Sequence, residues 1–174
     1  MERKILRIGI LTISDRSSQG ERSDLSGPAL QDLIQSQGWT VVNVDILPDE
    51  LQVIKSRLII WSDSDEFDLI LTTGGTGFSP RDITPEATLE VIEREAPGLV
   101  EAMRADSLKV TPHAMMSRAR AGIRGHTLIV NLPGSPRGAV ENLNVILPVL
   151  EHAVDLLSDN PSAEAGHGFE QQNR

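Results

Sequence analysis

Apolar positions along the chain alternate between two rhythms, and the changes of rhythm divide it into strands and helices. Leu6 to Ser14 (LRIGILTIS) is mostly apolar and β-branched and predicts a strand. In Pro28 to Gln37 (PALQDLIQSQ), Leu30, Leu33 and Ile34 share one face of a helix, with Gly38 as its stop. Thr40 to Leu47 predicts a second strand, and Glu50 to Ser62 a helix burying Leu51, Ile54, Leu58 and Trp61. After an acidic turn at Asp63 to Asp68, Leu69 to Thr73 and later Thr127 to Asn131 predict short buried strands. The last helix has the clearest pattern, Val140, Leu143, Leu147, Leu150, Val154 and Leu157, and Pro148 within it predicts a kink or two shorter helices. Asp159 to Arg174 is polar with scattered Gly and Pro, which predicts a mobile tail after a single domain over residues 1–158.

Strands separated by helices predict parallel pairing, so the expected architecture is α/β: a three-layer sandwich with a mostly parallel central sheet and helices on both faces. Gly27-Pro28, Thr84-Pro85 and Ser135-Pro136 each put a small or polar residue before proline, which predicts a cap followed by proline at the first helical position. In such folds ligands bind at the carboxyl ends of the strands, where these helix starts lie. One stretch breaks the pattern. Leu99 to Gly125 shows no plain strand–helix repeat, yet it carries Leu99, Val100, Met103, Leu108, Val110, Met115 and Met116. That is more apolar surface than a loop leaves in water, so it predicts either packing on its own sheet or an interface between copies.

Composition narrows the function classes. A length of 174 residues suits one domain with a sizeable core. There is no cysteine, which excludes disulfides, thiolate metal sites and thiol nucleophiles. No apolar run approaches membrane-spanning length, and the charged start at Met1 to Lys4 does not read as a secretory signal, so the expected compartment is the cytoplasm. A formal net charge of −9 disfavours nucleic acid and anionic membrane as partners. A small anionic substrate stays open, provided that local amides, arginines or a metal ion oppose the overall field.

The densest candidate chemistry is Thr72 to Thr88, TTGGTGFSPRDITPEAT, which follows a buried strand and runs into a helix. Gly74, Gly75 and Gly77 permit unusual backbone angles, exposed amides there can wrap a phosphate, and Thr73 and Thr76 add hydroxyls. The segment has neither the Lys-Ser/Thr of a P-loop nor GxGxxG spacing, and a tight surface turn is the plain alternative. Asp82 within it and Asp49 after Pro48 read either as a turn residue and a helix cap, or as two carboxylates at one sheet edge able to hold Mg²⁺. Pro133, Gly134 and Ser135 of NLPGSPR form a second strand-to-helix loop, and Ser14 and Asp15 of TISDR a third. Arg118, Arg120 and Arg124 either face a polyanion or balance an acidic surface. The four histidines show no metal-ligand spacing.

Taken together, TISDR, SGP, LPDE, TTGGTG, RDITPEAT and LPGSP, in that order, resemble the MogA/MoaB family of molybdenum cofactor biosynthesis, over roughly Leu6 to Leu157. The resemblance implies a trimeric α/β enzyme that joins AMP from ATP to the terminal phosphate of molybdopterin, with a divalent cation, and releases pyrophosphate. It implies Asp49 and Asp82 as the catalytic, Mg²⁺-holding pair. The pocket would be lined by Ser14, Asp15, Thr73, Gly74, Gly75, Thr76, Gly77, Pro133, Gly134 and Ser135. A molybdenum insertase is the implied protein partner. A pterin-binding scaffold of the MoaB type without adenylyl transfer is the other function this resemblance allows.

Overall fold

The computed structural model describes residues 5–158; the tail expected to be mobile lies outside them. Six strands form one sheet: β1 (Arg7–Ile13), β2 (Thr40–Leu47), β3 (Leu69–Thr73), β4 (Arg94–Glu95), β5 (Ala121–Arg124) and β6 (Thr127–Leu132), in the order β2-β1-β3-β6-β5-β4. The first four in that order run parallel, and β5 and β4 add an antiparallel edge. This is the mostly parallel α/β sandwich that the alternating rhythm predicts.

The helices are α1 (Asp15–Ser18), α2 (Ser26–Ser36), α3 (Leu51–Ser62), α4 (Thr84–Leu89), α5 (Pro97–Leu108) and α6 (Pro136–Leu157), with a 3-10 turn at Pro112–Met116. Two cores lie on opposite faces of the sheet. On one, Leu30, Ile34, Met103, Leu143 and Leu150 from α2, α5 and α6 pack on Ile8, Ile10, Leu69 and Leu71. On the other, Ile54, Leu58, Trp61 and Ala87 from α3 and α4 pack on Leu11, Ile13, Ile70 and Ile129. Strand β3 is buried at every position because alternate side chains enter opposite cores, which is why it reads as a continuous apolar run. Burying each such Leu or Ile contributes about 1.5–3 kcal/mol. No helix among the described residues is long and apolar enough to cross a membrane.

Three expectations need correction. Helix α2 starts at Ser26, two residues before the proline, because Asp24 Oδ1 accepts from the Ser26 and Gly27 amides and fixes the start earlier. Thr84 is likewise inside α4 rather than capping it: Ile83 holds the cap position, and the Thr84 hydroxyl is engaged elsewhere. Only Ser135 caps as anticipated, accepting from the Gly138 amide at 3.1 Å. Of the two outcomes expected at Pro148, division into two shorter helices is overturned: α6 runs unbroken for 22 residues. Pro148 sits on the exposed side, where water can satisfy the Asn144 carbonyl left without its partner, while Leu143, Ile146, Leu150 and Val154 hold both halves on the core.

The irregular stretch resolves into α5, the 3-10 turn and β5. Leu99, Val100 and Met103 pack on the protein's own sheet, whereas Leu108, Val110, Met115 and Met116 stay exposed. Helix α6, about 33 Å long at 1.5 Å per residue, returns from the carboxyl edge of the sheet to its amino edge. There the Leu157 carbonyl meets Nδ1 of His126 in the β5–β6 turn.

Candidate active site

Parallel pairing brings the carboxyl ends of β1, β2, β3 and β6 to one edge, and four loops meet there. Ser14 ends β1; its amide donates to the Leu47 carbonyl of β2, and its hydroxyl caps α1 by accepting from Ser17. Asp15 and Asp49 then bond each other reciprocally. The Asp15 amide donates to Asp49 Oδ2 at 2.9 Å, and the Asp49 amide donates to Asp15 Oδ1 at 3.0 Å. Arg81 adds a two-pronged contact on Asp15, with Nε and Nη2 each 2.9 Å from a carboxylate oxygen. This Arg81 contact holds the Asp15 carboxyl below its ordinary range.

Asp49 does not cap α3; Glu50 takes the cap position without a side-chain bond. Asp49 is instead 8% exposed beneath the edge, and burial raises its pKa, with the charges of Asp15 and Asp82 adding to the effect. Its Oδ1 makes no hydrogen bond among the described residues and faces Gly75, where an added Cβ would sit 2.9 Å from it.

The glycine loop has a one-sided polarity. All four carbonyls of residues 74–77 are engaged. Gly74 O accepts from Thr84 Oγ1 at 3.0 Å, Gly75 O from the Thr84 amide, Thr76 O from the Arg118 amide, and Gly77 O from Arg118 Nε at 2.8 Å. The Gly74 amide bonds Leu132 O and the Gly77 amide bonds Asp82 Oδ2, but the Gly75 and Thr76 amides have no acceptor among the described residues. Positive φ at Gly74 (101°) and Gly75 (66°) produces this turn. A side chain at either position would strike backbone or buried hydroxyl: an added Cβ lies 2.3 Å from Ile13 O at Gly74 and 2.3 Å from Thr84 Oγ1 at Gly75.

The turn reading of Asp82 also holds, since its Oδ2 accepts from the Gly77 and Ser79 amides while Oδ1 bonds no described group. Thr73 ties the glycine loop to its neighbour by donating to Pro133 O at 2.7 Å. The Gly134 and Ser135 amides have no acceptor among the described residues, and they lie at the N-terminus of α6.

These groups line a cavity of about 400 Å³ containing Ser14, Asp49, Thr73, Gly74, Gly75, Asp82, Gly134 and Ser135 in its wall. Asp15 is not in that wall; it bonds Asp49, which is. A second cavity of about 330 Å³ shares Ser135 with the first and includes Thr76, Gly77 and Pro133, with Val100, Met103 and Met116 making it more apolar. The sequence reading missed Arg22, Asp24 and Ser26 in the first wall, and Arg81, which bonds Asp15; Arg118, read as facing a polyanion or balancing an acidic surface, pairs with Glu86 and bonds loop carbonyls. Asp24 had a local signal, a carboxylate just before the SGP helix start; Arg81 and Arg118 act across distances no short motif records.

Among the described residues, no group of three or more His, Asp or Glu converges to form a metal cage. The donors present suit Mg²⁺ nonetheless, because that ion takes one or two carboxylates and completes its shell with substrate phosphates and water. Asp49 and Asp82 line one cavity, each with a carboxylate oxygen that has no partner among the described residues.

A family described as "Probable molybdopterin binding domain" matches residues 9–152. A molybdopterin adenylyltransferase from Helicobacter pylori is 43% identical over 157 residues, covering 89% of each chain. Gephyrin of Dictyostelium discoideum is 44% identical over 166 residues, covering 90% of this chain, which spans only 23% of that relative's length. Among solved structures, the molybdopterin biosynthesis enzyme MoaB of Thermus thermophilus superposes with a TM-score of 0.85 at 50% identity, covering 90% of this chain and 99% of that one.

Proposed function

The chain belongs to the family of molybdopterin-binding domains of molybdenum cofactor biosynthesis, and from that premise we propose that it is a molybdopterin adenylyltransferase. The reaction joins the terminal phosphate of molybdopterin to the α-phosphorus of ATP. A bond forms between a phosphate oxygen and that phosphorus, the bond from the α-phosphorus to the bridging oxygen breaks, and pyrophosphate leaves. The observation that carries the reading is the polarity of the glycine loop: its carbonyls are all engaged inward, and its Gly75 and Thr76 amides are left for an anion beside two carboxylates.

Both reactants are anions, so the barrier is repulsion and alignment. The loop amides, the Gly134 and Ser135 amides and the positive end of α6 oppose the chain's net negative field and hold phosphates in line. Asp49 and Asp82 would hold Mg²⁺, which would supply positive charge opposite the phosphates. No general base is required, because a phosphate nucleophile is already ionised at neutral pH. The more apolar second cavity suits a flat heterocycle, and Ser135, common to both walls, joins it to the phosphate site.

The test is direct. Purified protein with ATP, Mg²⁺ and molybdopterin should yield adenylyl-molybdopterin and pyrophosphate in equal amounts. Pterin binding without either product would make the chain a scaffold. We also assign it a homotrimeric state in the cytoplasm, with a molybdenum insertase receiving the product. The exposed Val110 and Met115, 62% and 67% accessible, offer an apolar contact between copies. Light scattering after size exclusion checks the trimer; a species at the 19.0 kDa monomer mass overturns it.

A further inference from the structure

Arg118 lies 36 residues from Asp82 in sequence, yet its guanidinium reaches the loop that carries it. Its main-chain amide donates to Thr76 O at 2.9 Å, Nε donates to Gly77 O at 2.8 Å, and Nη2 donates to Asp82 O. Nη1 pairs with Glu86 in the first turn of α4. One residue therefore bonds the carbonyls at both ends of the Thr76–Asp82 loop and anchors them to the following helix. Within the same loop, Asp82 Oδ2 gathers the Gly77 and Ser79 amides from the other side. Without the guanidinium, nothing among the described residues would bond the Gly77 and Asp82 carbonyls, and the carboxylate would lose its fixed aim.

We propose that Arg118 is a positioning residue for adenylyl transfer: its side chain closes the Gly77–Asp82 loop and thereby fixes where the Asp82 carboxylate faces the phosphates. It touches neither reactant: it lines neither of the two cavities, and three of its N–H groups are directed to loop carbonyls and to Glu86. Its planar fork matters more than its charge, since two carbonyls and a carboxylate are bonded at set angles. The kinetic part of this inference rests on the adenylyltransferase reading; the structural part does not.

The experiment compares wild type with Arg118→Met, Arg118→Lys, Asp82→Asn and the double variant Arg118→Met/Asp82→Asn. Arg118→Met should lower kcat/KM up to about tenfold and by no more than Asp82→Asn does, because a positioning residue cannot cost more than the group it positions. It should also speed hydrogen exchange at the Gly77 and Ser79 amides at least tenfold, while core amides of β3 and β6 keep their protection. The double variant should be no slower than Asp82→Asn, because Arg118 acts through Asp82. Arg118→Lys keeps the charge and the main-chain bond to Thr76 and should recover only part of either effect. Multiplicative losses in the double variant, full recovery with lysine, or unchanged exchange at Gly77 and Ser79 would each overturn the proposal. If wild-type protein makes no adenylyl-molybdopterin, the adenylyltransferase reading fails by itself, and the exchange comparison still decides what Arg118 does. If Arg118→Met does not fold, the exchange and rate of Arg118→Lys decide it in the same sense.

Discussion

Asp49 and Asp82 occupy similar places in the sequence, each between a strand and the helix that follows it, but their surroundings differ in kind. Asp49 is pressed under the sheet edge, takes one amide on one oxygen, and carries a raised pKa because burial disfavours its charge. Asp82 sits on an outer loop that it helps to fold, bracketing two amides on one oxygen while Arg118 binds its own carbonyl. Asp49 is thus a charge held against its preference by a rigid scaffold, whereas Asp82 is part of the scaffold that holds it. A carboxylate kept ionised at a desolvated position gains more from a cation than one already supplied with donors, so the two residues should fail differently.

The largest break in that contrast is Asp49→Asn. If Asp49 holds the metal as proposed, its loss should forfeit about 3 kcal/mol of transition-state stabilisation or more, roughly 100-fold in rate. Melting temperature should not fall, because the amide oxygen still accepts from Asp15. Wild-type turnover in this variant would remove Asp49 from the chemistry. Next comes the Asp82 series. Asp82→Asn should slow transfer at least about tenfold, but Asp82→Ala should additionally loosen the loop and raise exchange at Gly77 and Ser79, each bond being worth about 1 kcal/mol. Equal exchange in the two variants would mean that Asp82 does not fold its own loop. At Asp49 the same pair of substitutions should differ little in loop exchange.

A smaller effect is expected from Gly75→Ala. Its positive φ costs an L-residue roughly 1–2 kcal/mol, and the new Cβ meets the buried Thr84 hydroxyl. Stability therefore suffers along with ATP affinity, and calorimetry on protein and ligand reads both. Loss of affinity with unchanged melting would show that the loop yields locally. The smallest effects are those of pH. Asp49, with its raised pKa, is penalised once ionised, so its unfavourable contribution appears as pH rises through the folded value and is absent below the ordinary carboxylate range. Asp49→Asn should accordingly melt slightly higher than wild type at pH 7 and no differently at pH 3. Asp15, with its lowered pKa, contributes stability above the ordinary carboxylate range that is lost as pH falls through its folded value. Asp15→Asn should flatten that acid decline, modestly, because its Arg81 partner is 58% exposed.

The layers and strands were legible because β3 and β6 must be apolar on both faces and the helices on one, and those periods survive in any reading of the chain. The cavity wall was legible where a loop carries several chemical residues in a row, as at Gly74 to Gly77. Helix starts were less so: Gly27-Pro28 suggested a cap that Asp24 supplies from three residues upstream. The short antiparallel edge was illegible, since β4 has two residues and β5 four. Arg81 and Arg118 were hidden for a different reason. Their roles depend on partners 66 and 41 residues away, Asp15 and Gly77, and only the closed sheet brings these together.

Helix α6 departs from the cavity at Ser135 and delivers the chain to the amino edge of the sheet, the edge from which β1 sets out. Both ends of the folded unit therefore emerge on the side opposite the glycine loop and its cavity. A fusion at residue 5 or residue 158 would grow away from that cavity, leaving its mouth open. A unit wired in this way can be carried as a cassette within a larger polypeptide without rerouting any loop of the cavity wall.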